Sequence, residues 1–446
     1  MRSRLGIKFL LLIGVLILLQ IPLVMIQGQV RERNYTRMDV VNEISRSWGA
    51  AQNIVGPILV VPYTTIEESQ VWDTNLEKYK IKETIIQHQK IITPDISNID
   101  GNVAVTERHR SIYSAPVYNA NLRLHGQFDL APINDIDGNV GTPEFIVLMS
   151  DLSGVLSIPT MMIKGESLKF EEGGYNEIKG IKTKLSQWDD TQAYDLQLDL
   201  KGSQNISVYP LAKNNEVNLA SNWLHPSFNG QFLPESHTIA EDGFLARWRT
   251  TSLSSNANQL VQLCRKGRCD ELMDSAYGVR FFEPVNNYTQ SDRASKYAIL
   301  LIVTTFAIFF VLETMKSAAV HPVQYLLVGL SMTIFNLLLV ALTEHLSFLA
   351  SYLISSVACL TLLGAYARHI LQRITWFIGF MIVLSMIYLF MYFILLSEDY
   401  AFLMGSGFLF VILATLMITT RKVNWYELMK SPNAPNNKSC NITLES

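Results

Sequence analysis

Hydrophobic and polar positions divide this chain into three zones. Residues 9–27 are apolar apart from Gln20 and Gln27, and Arg2, Arg4 and Lys8 precede them. Five more apolar runs follow one another at 297–315, 323–342, 346–366, 374–396 and 400–419. Each has the roughly 17–25 residues that a membrane-crossing helix needs. Five such runs joined by very short loops do not read as buried helices of a soluble core. The first run is either an uncleaved anchor or a signal peptide. It exceeds the length of a signal h-region, and Ile26-Gln27-Gly28-Gln29 is a poor cleavage context, so an anchor is expected. Pro22 should kink that helix without breaking it.

The zone between, 28–296, has the pattern of a soluble domain. Residues 29–48 are polar and charged with apolar positions at Val30, Met38, Val41 and Ile44, which predicts a helix leaving the membrane. A β-rich run at 54–63 follows, closed by Pro62 and Tyr63. Further strands are predicted at 79–86, 121–128, 144–149, 194–200 and 244–251, with strict period two at 194–200. Asp100-Gly101 and Asp137-Gly138 predict two hairpin turns. A calcium loop at Asp135 and Asp137 lacks the glutamate ligand it would need. The strand spacing points to a sandwich or to an extended bent sheet.

Composition sharpens this division. The chain is 49% apolar and only 17% charged, below the ~25% charged residues usual for soluble proteins. Zone 28–296 carries 26 basic and 33 acidic residues, a net charge of −7. An acidic domain is a poor partner for phosphate backbones, so nucleic acid is not expected. Charge also orients the helices. With a cytoplasmic N-terminus and six crossings, the inside loops carry Lys316, Arg368, Arg373, Arg421 and Lys422, while the short outside turns carry only Glu344, Glu398 and Asp399. That is the positive-inside distribution.

The expected fold is therefore an integral membrane α-helical bundle of six transmembrane helices, with a large β-rich (α+β) domain between the first and second. Residues 1–8 form the cytoplasmic N-terminus, 28–296 lie outside the cytoplasm, 297–419 form the five-helix part of the bundle and 420–446 a cytoplasmic tail. Cys264 and Cys269 fall in the outside domain, where oxidation is possible, so a disulfide is expected. A zinc half-site is the alternative, with no second cysteine pair or histidine cluster to complete it. Cys359 and Cys440 are expected as free thiols.

Three stretches carry a family resemblance. The first is Ser221-Asn222-Trp223-Leu224-His225-Pro226-Ser227-Phe228, continuing through Gly230-Gln231-Phe232-Leu233-Pro234. The second is Asp292-Arg293-Ala294-Ser295-Lys296-Tyr297, running on to Glu313. The third is His321-Pro322-Val323-Gln324-Tyr325, running on to Glu344-His345. Smaller matches are Gly56-Pro57 before Val60-Val61-Pro62, Ile112-Tyr113 with Pro116-Val117-Tyr118, and Asn424-Trp425-Tyr426. Together they resemble the CreD family. The resemblance implies a bacterial inner-membrane protein that supports cell-envelope integrity under a two-component sensor pair, with the middle domain periplasmic. It implies no catalytic residues and no cofactor. The Cys264/Cys269 loop is not part of the family pattern.

Motifs for chemistry are sparse. The chain has no G-x-x-x-x-G-K-[ST], no G-x-S-x-G and no H-E-x-x-H. None of its eight histidines is paired at metal-ligand spacing, so neither a metal site nor an enzyme is expected. The candidate functional polar residues are Glu313, His321, Glu344 and His345. Intramembrane charge is expensive and often functional, but Glu313 can equally pair with Lys316 at helical spacing. Glu344 and His345 form either a solvated turn or a proton-responsive pair. Asn336 is expected to hydrogen-bond another helix. Arg293 and Lys296 are expected to meet lipid phosphates or acids of the domain. Trp223, His225, Phe228 and Phe232 form a candidate docking loop for a ligand or the membrane surface, or else a packed corner of the domain.

The expected function is a non-enzymatic inner-membrane protein whose outer domain binds or senses an envelope component. The expected partners are the lipid bilayer and an envelope component or membrane protein. A small transporter built on the bundle, and a membrane-bound enzyme acting on lipid or cell-wall precursors, are the alternatives.

Overall fold

The structure is a computed structural model that describes residues 4–73, 78–163, 166–281, 287–316, 320–370, 373–397 and 400–421. The chain divides into two compact units: Met1–Arg37 with Val285–Ser446, and Met38–Pro284. The first is helical and the second is largely β.

Helix α1 runs Arg4–Trp48 without interruption, with Pro22 inside it. It joins the apolar anchor and the polar helix that the pattern treats as successive segments. Its first part belongs to the helical unit and its last residues to the β unit. In the β unit, Val40, Val41 and Trp48 pack with buried Ile44 against Ala115 and Val117. The Trp48 indole donates to the Tyr118 carbonyl at 3.3 Å.

The β unit continues with β1 (Gln52–Asp73), β2 (Lys78–Ile92), β3 (Ile96–Arg110), β4 (Tyr113–Asp129), α2 (Ala131–Asn134), β5 (Asn139–Val140) and β6 (Glu144–Met149). Next come β7 (Thr160–Ile163), β8 (Glu166–Lys169), β9 (Glu171–Glu172), β10 (Gly180–Lys184), β11 (Thr191–Ser203) and β12 (Asn205–Tyr209). The unit closes with β13 (Asn214–Ser221), β14 (Pro226–Gly230), β15 (Ser236–Ala240), β16 (Gly243–Thr251), α3 (Ser252–Ser255), α4 (Ala257–Arg265), α5 (Asp270–Asp274) and β17 (Tyr277–Phe281).

These strands form two sheets. One has the order β14-β17-β12-β1-β6-β10-β9, with β2 and β5 also paired to β1. The other has the order β15-β16-β13-β3-β4-β11-β7-β8. Both sheets contribute to one hydrophobic core. Phe145 from the first sheet lies 5.8 Å from Phe128 and 5.5 Å from Tyr194 of the second, ring centre to ring centre. This is the sandwich arrangement, in which inward residues alternate with outward ones along each strand.

Two local expectations are corrected. Pro62 does not close the first strand, because β1 runs on to Asp73. Pro62 has no N–H to give the ladder, while its carbonyl accepts from Gly141 N at 2.8 Å. Asp100-Gly101 is not a turn but the middle of β3. Gly101 is required there by packing: a Cβ would lie 2.5 Å from Leu219 Cδ2 and 2.7 Å from Leu122 Cδ2. Asp137-Gly138 does bend the chain, leading into β5 with Gly138 at φ +149°.

The helical unit adds α6 (Asn287–Lys316), α7 (Pro322–Thr343), α8 (Phe348–Ile370), α9 (Ile374–Leu396) and α10 (Ala401–Thr420). Among the described residues six helices are long and apolar enough to cross a membrane. α6 begins ten residues before the apolar run, because Asp292 and Lys296 pair at 2.5 Å one turn apart and stabilise the polar first turns. The buried cluster draws on α1 (Leu19, Leu23) and on every helix from α6 to α10. Aromatic edges interlock it: Phe309 meets Phe380 at 4.9 Å and Phe335 meets Tyr388 at 5.0 Å.

Gly329 sets the approach of α1 to α7. A Cβ there would fall 2.1 Å from Leu19 Cδ1 and 3.1 Å from Phe306 Cζ. Small residues at helix contacts in a membrane allow such close backbone approach. Gly329→Val should therefore lower stability in detergent by roughly 1–3 kcal/mol through overpacking. Thermal unfolding by tryptophan fluorescence checks it, and a midpoint equal to that of the unsubstituted protein would contradict the packing.

Candidate functional site

The polar groups of the helical unit come in two sets, at opposite ends of α7. At 1.5 Å per residue, the 22 residues of that helix separate them by roughly 33 Å. Near its N-terminal end, Glu313 on α6 accepts from Lys8 Nζ on α1 in a partly buried ion pair. The same carboxylate accepts from the Tyr325 hydroxyl at 2.9 Å and from Val320 N at 3.2 Å. Lys8 also donates to the Val320 carbonyl at 2.8 Å. Lys8 is a partner more than three hundred positions away in the chain, and the side chain of the expected partner Lys316 lies outside the described residues. Beside this network His321 caps α7, its Nδ1 accepting from Val323 N at 3.3 Å while Gln324 reaches back to His321 N. That role satisfies helix-end donors.

At the other end of α7, Glu344 and His345 lie in a turn, and Glu344 pairs with Arg33 on α1 at 3.1 Å. His345 is exposed. Glu398 and Asp399 lie outside the described residues. Arg293 donates to the Ser397 carbonyl at 3.1 Å, and Lys296 pairs with Asp292 within α6. Asn336 donates within its own helix, to the Met332 carbonyl at 3.2 Å, so it does not bridge helices as expected. Cys359 is buried and free, and Cys440 lies outside the described residues.

In the β unit the candidate docking loop is mostly a packed corner. Trp223, Phe228 and Phe232 lie against the core. Phe228 contacts Phe244 and Trp248 at 5.8 Å each, and Phe232 contacts Tyr277 at 5.5 Å. The Trp248 indole donates to the Phe232 carbonyl at 3.1 Å. Asn222 anchors the start of the loop, its side-chain amide pairing with both backbone groups of Val105 at 2.8 and 3.1 Å. Burial in this corner pushes the Tyr277 phenol up to about 12. His225 alone of the four is exposed. Cys264 and Cys269 are bonded, joining the last turn of α4 to the residue that precedes α5.

Two clefts open on this unit. One, of about 610 Å³, lies on the outward face of the second sheet. Register assembles it: Arg247, Asn218, Asp100 and Arg123 stand side by side on β16, β13, β3 and β4. Its charges answer one another. Arg123 holds Asp195 with two hydrogen bonds of 3.0 and 2.6 Å, and Arg247 holds Glu216 at 2.8 Å. Asn218 donates to Asp100 at 3.0 Å. Arg123 and Arg247 keep the carboxyls of Asp195 and Glu216 below the usual carboxylate range. The second cleft, of about 650 Å³, lies where β1, β2 and β5 meet the end of α4. Neither cleft was read from the sequence. The alternating polar residues of these strands are visible there, but which strands lie side by side is not. Among the described residues no three His, Cys, Asp or Glu side chains gather as metal ligands.

The Lys8–Glu313 pair can be tested as a staple between α1 and α6. Glu313→Gln leaves a partly buried cation without its partner and should cost about 3 kcal/mol, whereas Lys8→Met with Glu313→Gln should recover most of the loss. A double-mutant cycle on thermal stability in detergent measures this, and additive effects would refute the pairing.

Comparison with known proteins completes the site's context. The family model described as inner membrane protein CreD matches residues 4–426. Inner membrane protein CreD of Escherichia coli strain K12 is 33% identical over 436 residues, covering 96% of this chain and 95% of that protein. Among solved structures, yeast LTA4 hydrolase in complex with bestatin aligns at 12% identity over 34% of this chain and 25% of that one, with a TM-score of 0.17, which carries no argument. A family model spanning almost the whole chain, six apolar helices and a relative of this identity lead to one assignment: the chain belongs to the CreD family of inner membrane proteins.

Proposed function

We propose that this inner-membrane protein is a non-enzymatic component of the cell envelope. Its two-sheet domain lies outside the cytoplasm and binds or senses an envelope component, and its six helices hold that domain at the membrane. The observation that carries this reading is how the acids of the bundle are paired. From Asn287 onward each described acid of the bundle faces a cation: Asp292 has Lys296, Glu313 has Lys8 and Glu344 has Arg33. Ser351, Ser355 and Ser356 on α8 are buried as well, small residues that suit a close helix contact. Such a bundle is built for cohesion rather than passage. The domain, by contrast, offers clefts of the size that small ligands occupy, roughly 300–1,000 Å³.

The positive-inside distribution supports the orientation, with both termini cytoplasmic. The Cys264–Cys269 bond agrees with a compartment that oxidises thiols.

Deleting the gene should sensitise cells to detergent and other envelope stress, with restoration by the intact chain. Wild-type growth under every such stress would remove the reading. Orientation has its own test. A protease site placed at Asn258, on exposed α4, should be cut in intact spheroplasts, and protection there would invert the topology.

A further inference from the structure

The two clefts differ in what their side chains already do. On the outward sheet face arginines, acids and amides bind one another, as Arg123 with Asp195 and Asn218 with Asp100 show. The cleft beside α4 is built otherwise. β1 pairs with β2 and β5 so that Pro62 stands opposite Gln89, and Thr64 stands opposite both Gln87 and Asn139. Residues directly opposite across antiparallel strands share a face. Thr64, Gln87, Gln89 and Asn139 therefore form one polar shelf. Gln87, Gln89 and Asn139 are exposed, and no side-chain partner occupies their amides among the described residues.

The wall of this shelf is rigid. Tyr175 and Ile178 close a tight turn by exchanging hydrogen bonds of 3.1 and 3.2 Å. Asn176 within it takes a left-handed φ of 51°, a conformation asparagine tolerates. Its side chain donates to the Cys264 carbonyl, tying the turn to the disulfide loop. The next residue, Arg265, is exposed, lines the cleft and makes no ion pair among the described residues. No aspartate or glutamate lines the cleft, although the surrounding zone 28–296 carries 33 acids against 26 bases. The disulfide thus fixes the backbone on which a lone guanidinium stands over a shelf of amides.

We propose that this shelf is a binding site for a saccharide bearing a carboxylate. The amides of Gln87, Gln89 and Asn139 and the hydroxyl of Thr64 supply donors and acceptors together, which suits ring hydroxyls that both give and accept hydrogen bonds. Arg265 meets the carboxylate with a forked pair of donors. The proposal rests on the reading of the domain as an envelope binder and names the class of ligand for it. Cell-wall glycan freed of its stem peptides, whose lactyl group is then a carboxylate, and uronate polysaccharide share this chemistry.

The test uses the full-length chain in detergent micelles and titration calorimetry with three probes. They are the disaccharide of N-acetylglucosamine and N-acetylmuramic acid, trigalacturonate, and neutral chitotriose. At least one carboxylated probe should bind saturably, and chitotriose about tenfold more weakly, one charge-assisted hydrogen-bonded pair being the difference. Binding of the disaccharide alone assigns the cell wall as the source, and binding of trigalacturonate alone assigns uronate polysaccharide. Arg265→Gln should remove the preference for carboxylate. Gln87→Ala with Asn139→Ala, both at exposed positions, should weaken all three probes by about tenfold or more. An intact disulfide by mass and an unchanged melting midpoint show that each variant is folded.

Lack of saturable binding, equal binding of chitotriose, indifference to both sets of variants, or equal binding of an acidic peptide without sugar would each overturn the assignment. The combined variants should also fail to restore envelope resistance to the deletion strain. Full restoration would leave the envelope role standing and remove this cleft from it, whereas a deletion without any phenotype removes the role itself.

Discussion

In hydrocarbon no water is available to a backbone N–H or C=O, and each unpaired group costs several kcal/mol. That constraint shapes the helical unit of this protein. It leaves the helix as the form open to the apolar runs, so α1 and α6 to α10 satisfy their backbones internally. It also governs the side chains that are not apolar. Glu313 is tolerated because Lys8, Tyr325 and the Val320 N–H all meet its carboxylate. Glu344 is met by Arg33 in the same way. Both pairs join α1 to later helices, so the polar residues fasten the N-terminal helix to the bundle where lipid offers no hydrophobic drive to do so.

The β unit answers the opposite problem, since water surrounds it and apolar burial must order its chain. Among the described residues seventeen strands form two sheets, and both sheets contribute to one core. The packing is close enough that Gly101 has room for no side chain beside Leu219 and Leu122. The aromatic corner from Trp223 to Phe232 is part of this core rather than a free surface. An aromatic-rich loop with two prolines attracts attention as a docking element, yet Trp248 and Tyr277 had already claimed its rings.

Function follows from the division of labour between the units. Charges in the bundle neutralise one another, and so do those on the outward face of the second sheet. Among the described residues the shelf of β1, β2 and β5 keeps amides and a guanidinium without side-chain partners, on a backbone held by a disulfide and a tight turn. A site of that kind gains affinity because little must be ordered when a ligand arrives.

By itself the sequence determined the membrane character, the number of long apolar helices and the strands at 144–149, 194–200 and 244–251. These depend on local periodicity and on segment length, quantities a single segment carries within it. The pairing of Cys264 with Cys269 was legible for the same reason, because only four residues separate them. Tertiary structure alone decided that Glu313 meets Lys8, that Glu344 meets Arg33, and that Asp100-Gly101 lies inside a strand. It alone brought Gln87, Asn139 and Arg265 to one cleft. Each of these is a contact between positions far apart in the chain, or a local turn preference overruled by such a contact. Strand register and helix packing choose those neighbours, and no local pattern of residues encodes them.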